Sequence, residues 1–109
     1  MRREKPCVPD FVVKRFQEKE MKALQMIKES SLKYKQVGIF GSYARNEYKA
    51  TSDIDIIAIV DYHPKDVDCC LLRELLDGMG VQLIYSDEGV FEANDIFSRE
   101  IQRDYIRRL

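Results

Sequence analysis

Two short stretches of this sequence hold residue types that could do chemistry together: Gly41-Ser42-Tyr43-Ala44-Arg45 and Ser52-Asp53-Ile54-Asp55. Side chains two apart on a strand share a face, so Asp53 and Asp55 would present their carboxylates side by side. Two such anions at the head of an apolar strand repel each other and resist burial unless cations or strong donors offset them. Magnesium suits that need, because it takes hard oxygen ligands, commonly one or two carboxylates plus substrate phosphates. The Gly41-Ser42 turn offers the phosphate a seat, since glycine admits a close backbone approach and N–H groups opening a helix attract anions. The expected site therefore has Asp53 and Asp55 on Mg2+ and Gly41 and Ser42 on a nucleoside triphosphate, for phosphoryl-type transfer by positioning and electrostatics. Arg45 could steady the triphosphate, or pair with Glu47 or Asp53.

The elements that must position these groups follow from the apolar pattern. Val13, Phe16, Ala23, Leu24 and Ile27 predict an amphipathic helix from Asp10, as N-cap, to about Lys33. Val37 to Phe40 reads as a buried strand stopped by the Gly-Ser turn, and Asp53 to Val60 as a central, β-branched strand. Val67, Cys70, Leu71, Leu75 and Leu76 predict a helical face closed by Gly78 and Gly80, followed by a strand from Val81 to Tyr85. From about Glu92 to Leu109, Ile96, Phe97, Ile101, Tyr105 and Ile106 predict a last helix. The string is that of an α+β fold, a small mixed β-sheet packed on helices, and 109 residues suffice for one domain spanning 1–109.

With that order in place, Gly41-Ser42-Tyr43-Ala44-Arg45 followed by Ser52-Asp53-Ile54-Asp55-Ile56 resembles the Gly-Ser-x-Ala-Arg-Gly and Ser-Asp-x-Asp pattern of the minimal nucleotidyltransferases, a branch of the DNA polymerase β-like superfamily. The resemblance implies the nucleotidyltransferase fold, with Mg2+ as cofactor and transfer of a nucleoside monophosphate, usually AMP from ATP, to a hydroxyl. It also implies a partner: small members are often the antitoxin of a toxin-antitoxin pair whose toxin is a HEPN-domain protein, and some adenylylate a tyrosine of it. Two residues depart from the pattern. Asn46 replaces a glycine, a mild change because asparagine tolerates positive φ. Gln82 stands where the family's third carboxylate belongs, and an amide neither carries charge nor acts as a general base. Asp87 and Glu88 lie past the end of that strand. The alternative reading is thus a catalytically degenerate antitoxin or nucleotide-binding module acting by docking; a nucleotide sensor or RNA-end modifier is a third.

Composition narrows the setting. With 18 basic and 19 acidic residues the net charge is -1, so no overall basic field holds nucleic acid. Arg2, Arg3 and Lys5, and Arg103, Arg107 and Arg108, read as solvated ends. Three cysteines, Cys7, Cys69 and Cys70, form neither a disulfide framework nor a zinc pattern, and no apolar run is long enough for a membrane span, which together fit a cytoplasmic protein. His63 and Tyr43 are expected at the surface, where Tyr43 could also stack on a base, and at least one of Cys69 and Cys70 in the core. Any apolar helix surface left uncovered would mark a partner interface.

Overall fold

The computed structural model describes residues 7–62 and 64–109, so the expectations for His63, Arg2, Arg3 and Lys5 lie outside the described residues. Helix α1 (Asp10–Glu29) leads into strand β1 (Gln36–Phe40), the one-turn helix α2 (Gly41–Ala44) and strand β2 (Ile54–Ile59). Helix α3 (Val67–Gly78) and strand β3 (Val81–Ser86) follow, then a 3-10 turn (Glu88–Phe91), helix α4 (Ile96–Asp104) and strand β4 (Ile106–Arg107). The sheet has the order β3-β2-β1-β4, with β2 antiparallel to β1 and parallel to β3, and β4 antiparallel to β1. This is the mixed sheet on helices that the apolar pattern implies. Among the described residues no helix is long and apolar enough to cross a membrane.

Strand β2 is central, and its alternation divides two cores. Ile54, Ile56 and Ala58 pack into the cluster that holds Phe16, Ala23 and Ile27 of α1 and Cys69, Leu72 and Leu76 of α3. Ile57 and Ile59 face the other way, with Phe40, Val90 and Ile101 of α4. Burying each such side chain is worth roughly 1.5–3 kcal/mol, so the strand that carries the two aspartates is also the most heavily anchored.

Four sequence expectations shift. Pro9, not Asp10, occupies the α1 N-cap and no side chain caps it; the buried face runs through Val12, Phe16, Glu20, Ala23 and Ile27, leaving Val13 half-buried. Helix α1 stops at Glu29 rather than near Lys33, because the Ser30 hydroxyl donates to the Ile27 carbonyl (2.6 Å) and the chain turns extended there. On α3 the covered stripe is Cys69, Leu72 and Leu76, while Val67, Leu71 and Leu75 are exposed. The adjacent apolar pairs make either stripe plausible from sequence, and the sheet covers only one; of the two cysteines, Cys69 is the buried one.

The last helix is shorter than 92–109. Asp95 caps α4 by accepting from the Ser98 N–H (3.0 Å), which leaves Ile96 exposed, and after Asp104 the chain turns extended and pairs with β1. Gly38 permits that return. A Cβ there would collide with the Tyr105 ring and stand 2.6 Å from the Ile106 carbonyl oxygen. Tyr105 then donates its hydroxyl to Gln36 Oε1 (2.6 Å), a link that a continued helix could not make. Gly38→Ala is therefore expected to lose about 1–3 kcal/mol through overpacking. Gly78→Ala, whose Cβ would meet nothing within 4 Å, is expected to be neutral or slightly stabilising. Urea melts of the two variants check both signs.

Candidate active site

The site assembles where β1 gives way to α2 beside the head of β2. Register places Phe40 of β1 opposite Asp55 of β2, so the Gly41 turn begins beside the Asp55 carboxylate. Gly41 has φ +77°, and any side chain on it would collide with Asp55 Oδ2. Glycine is thus required twice, by the left-handed backbone and by the carboxylate behind it. Asn46 closes the same segment with φ 59°, the conformation that asparagine tolerates.

Asp55 is half-buried and Asp53 exposed, and among the described residues neither is in a salt bridge. Burial, then the charge of Asp53, then that of Glu100 on α4 push the Asp55 carboxyl up to about 6, with Arg45 pulling the other way. Two side-by-side carboxylates without a counter-ion at ion-pair distance are a donor set that a hard divalent ion fits, with substrate phosphate and water supplying its other oxygens. A full protein cage is not there: among the described residues no group of three or more His, Cys, Asp or Glu could hold a metal. The neighbour of Asp55 on β3 is Gln82, which is exposed. Asp87 and Glu88 do not substitute for it. They lie past Ser86, roughly 13 Å or more along the strand from Gln82. Asp87 accepts from the Gly89 N–H (2.8 Å), and Glu88 pairs with Lys35 (3.1 Å), which also holds Asp61.

Helix α2 is braced on two sides. Tyr43, expected at the surface, is buried; its hydroxyl donates to Glu20 Oε1 of α1 (2.8 Å), and Arg108 Nε donates to the other oxygen of Glu20 (2.7 Å). Its ring packs with Phe16 and Tyr48, at 5.8 and 5.1 Å between centroids, so it is not free to stack on a base. Burial and the Glu20 carboxylate push the Tyr43 phenol far above its ordinary range, which keeps it a hydrogen-bond donor. On the other side Arg45 pairs with the buried Asp104 of α4 and, at 3.6 Å, with Glu47, but not with Asp53. Asp104 also accepts from Arg103 (2.8 Å), and the two guanidiniums hold its carboxyl below the usual range despite burial. Glu20, Glu100 and Asp104 were not singled out from sequence. Glu20 alone left a trace, as an acid on the apolar stripe of α1 four residues after Phe16.

This fold, with a Gly-Ser turn seated against paired aspartates, is that of a nucleotide-transferring enzyme class, and sequence comparison gives the same answer. Residues 20–105 match the family model of the nucleotidyltransferase domain, and the chain belongs to that family. Two proteins of Methanocaldococcus jannaschii, MJ0126 and MJ1217, each described as a candidate protein adenylyltransferase, are 47% identical to it over 53 residues, 39% of this chain and 52% of theirs. The chain thus spans about half the length of the curated relatives it matches. Among solved structures, a chain of a toxin-antitoxin crystallised with AMP-PNP superposes with a TM-score of 0.61 at 19% identity, covering 81% of this chain and 70% of that one. A chain of the MntA-HepT toxin-antitoxin superposes at 0.55 with 17% identity, covering 84% and 69%. At those identities the likeness is one of fold.

The raised Asp55 carboxyl has a sign that can be tested. Its folded value, about 6, lies above the ordinary 3.8, so the native state holds the proton more tightly across that window. The stability it contributes is complete below about pH 4 and is lost as pH rises through 6. Asp55→Asn, without added metal, is therefore expected to melt higher than wild type at pH 7 to 8. The advantage should vanish near pH 4, where Asp55 is already neutral; thermal melts across pH 4 to 8 measure it.

Proposed function

We propose that the chain is a nucleotidyltransferase that passes AMP from ATP to a hydroxyl on a partner protein, a HEPN-type toxin, and so serves as the antitoxin of the pair. The observation that carries this reading is the close approach of Gly41 to the Asp55 carboxylate, which supports a phosphate bound at the turn beside the paired acids. In this reading residues 1–109 act as one nucleotidyltransferase domain. Asp53 and Asp55 hold Mg2+, and the Gly41 backbone and Ser42 hydroxyl bind the triphosphate. Bound there, the magnesium ion would neutralise phosphate charge and lower the pKa of the attacking hydroxyl. Gly41 admits the close approach, Ser42 donates to phosphate oxygen, and Arg45 serves the nucleotide from within its pair with Asp104, by fixing α2. The partner class is supported by the toxin-antitoxin structures that share the fold.

A second reading, docking without catalysis, draws on two observations: Gln82 beside Asp55, and the exposed Val67, Leu71 and Leu75 on α3, an apolar stripe suited to a helical toxin.

Magnesium and ATP together are expected to raise the melting temperature more than either alone, by the equivalent of about 2.7 kcal/mol at a hundred times the dissociation constant. Asp53→Asn should fold and lose that joint shift. No shift of wild type with any nucleoside triphosphate and magnesium would overturn the triphosphate site. Gln82→Asp separates the two readings. Restoring a carboxylate about one strand spacing from Asp55 is expected to raise radiolabel transfer from ATP toward the roughly 100 to 10,000-fold that general-base help is worth. Tight toxin binding with no transfer in either protein would favour docking alone.

A further inference from the structure

The charge balance of the proposed site asks for a protein cation. A triphosphate with about four negative charges, set beside Asp53 and Asp55 and near Glu100, leaves an excess of negative charge even with two divalent ions bound. Arg45 is the cation that sequence puts forward, but its guanidinium is held by Asp104 and Glu47. Asp104 has less than a tenth of its surface exposed and is held by Arg45 together with Arg103, so withdrawing Arg45 would break one of the two ion pairs on a buried carboxylate.

Another ammonium stands at the head of β2. Ile54 donates its N–H to the Gly80 carbonyl (3.0 Å), which brings Gly80, at φ +80°, against Asp53. The point where a Gly80 side chain would begin lies 3.2 Å from Lys19 Nζ and 3.6 Å from Asp53 Oδ1. Lys19 comes from α1, and its Nζ is 4.9 Å from the centroid of the Phe16 ring. That ring packs on Tyr43 of the Gly-Ser turn, so the Lys19 ammonium and the proposed phosphate seat are linked through aromatic contacts. Among the described residues Lys19 makes no salt bridge, and its ammonium rests over the Phe16 ring. A cation–π contact with an uncharged ring holds an ammonium in place without neutralising it.

We propose that Lys19 is a nucleotide-binding residue whose ammonium contacts the β- or γ-phosphate oxygens of the triphosphate, supplying the mobile positive charge that Arg45 cannot. This rests on the nucleotidyltransferase reading above. A flexible four-carbon stem lets the ammonium leave the uncharged Phe16 ring for phosphate oxygens. The small reach of Gly80 matters too, since any side chain there would stand between Lys19 and Asp53.

The test is calorimetric titration of Mg2+ with AMP-PNP into wild type, Lys19→Ala, Lys19→Arg and Lys22→Ala, an exposed lysine of the same helix. Losing a charge-assisted phosphate contact should weaken binding roughly tenfold or more in Lys19→Ala. Lys19→Arg should restore most of it, Lys22→Ala should match wild type, and the ligand-free melting temperatures should stay close together. AMP-PNP binding unchanged in Lys19→Ala would overturn the inference while leaving the triphosphate site standing. Tighter Mg2+ binding in Lys19→Ala with no loss of AMP-PNP would also overturn it, making Lys19 a stand-in counter-ion for Asp53. Absence of AMP-PNP binding in wild type would remove the nucleotidyltransferase reading itself.

Discussion

Strand β2 buries both of its faces, one against α1 and α3 and the other against α4, and this constraint decides where charge can sit. Ile54, Ile56, Ile57, Ala58 and Ile59 have no exposed surface, so carboxylates on the strand are tolerable only at its head, where solvent, a cation or a phosphate-bound metal can reach them. The same burial denies Asp55 the solvation it would need to ionise easily. The raised Asp55 carboxyl that marks the site electrostatically therefore owes most to the burial that anchors the strand.

The one-turn helix that begins at Gly41 has too few internal hydrogen bonds to hold itself, since nucleating a helical turn is unfavourable on its own. Its position is imposed from outside, by Tyr43 on Glu20 and by Arg45 on Asp104. Both carboxylates are nearly buried and both are matched by arginine, Glu20 by Arg108 and Asp104 by Arg45 and Arg103. Such arrangements contribute little net stability compared with apolar packing, but they fix geometry, which is what a short segment carrying Gly41 and Ser42 lacks.

Much of this was legible in the sequence because the chemistry is local. The Gly-Ser and Asp-x-Asp segments and the two strands that present them follow from short-range pattern, and the placement of Gln82 beside Asp55 follows from the family resemblance. What sequence could not give is long-range. Tyr43 read as a surface residue because nothing nearby in the chain shows that Glu20 and Phe16 close over it. Arg45 had three candidate roles, and its main partner, Asp104, was not among them. Of the residues expected on the covered face of α3 only Leu76 is buried, because doubled apolar residues satisfy two helical phases and only the extent of the sheet decides between them. The β4 return was hidden because Tyr105 and Ile106 continue the helical period of α4, while the vacancy that receives them lies at Gly38.

The spacing of the braces also orders events in time. Tyr43 meets Glu20 across 23 residues, Arg45 meets Asp104 across 59, and Arg108 meets Glu20 across 88. Contacts of such separation form only after the intervening loops have closed, and loop closure delays them relative to neighbouring pairs. The β1–β2 hairpin can therefore pair while Gly41 and Ser42 are still unconstrained, and the Gly41-Ser42 turn takes its final shape once Asp104 and Arg108 have docked. A half-folded chain would thus carry both aspartates without a fixed Gly41-Ser42 turn to face them.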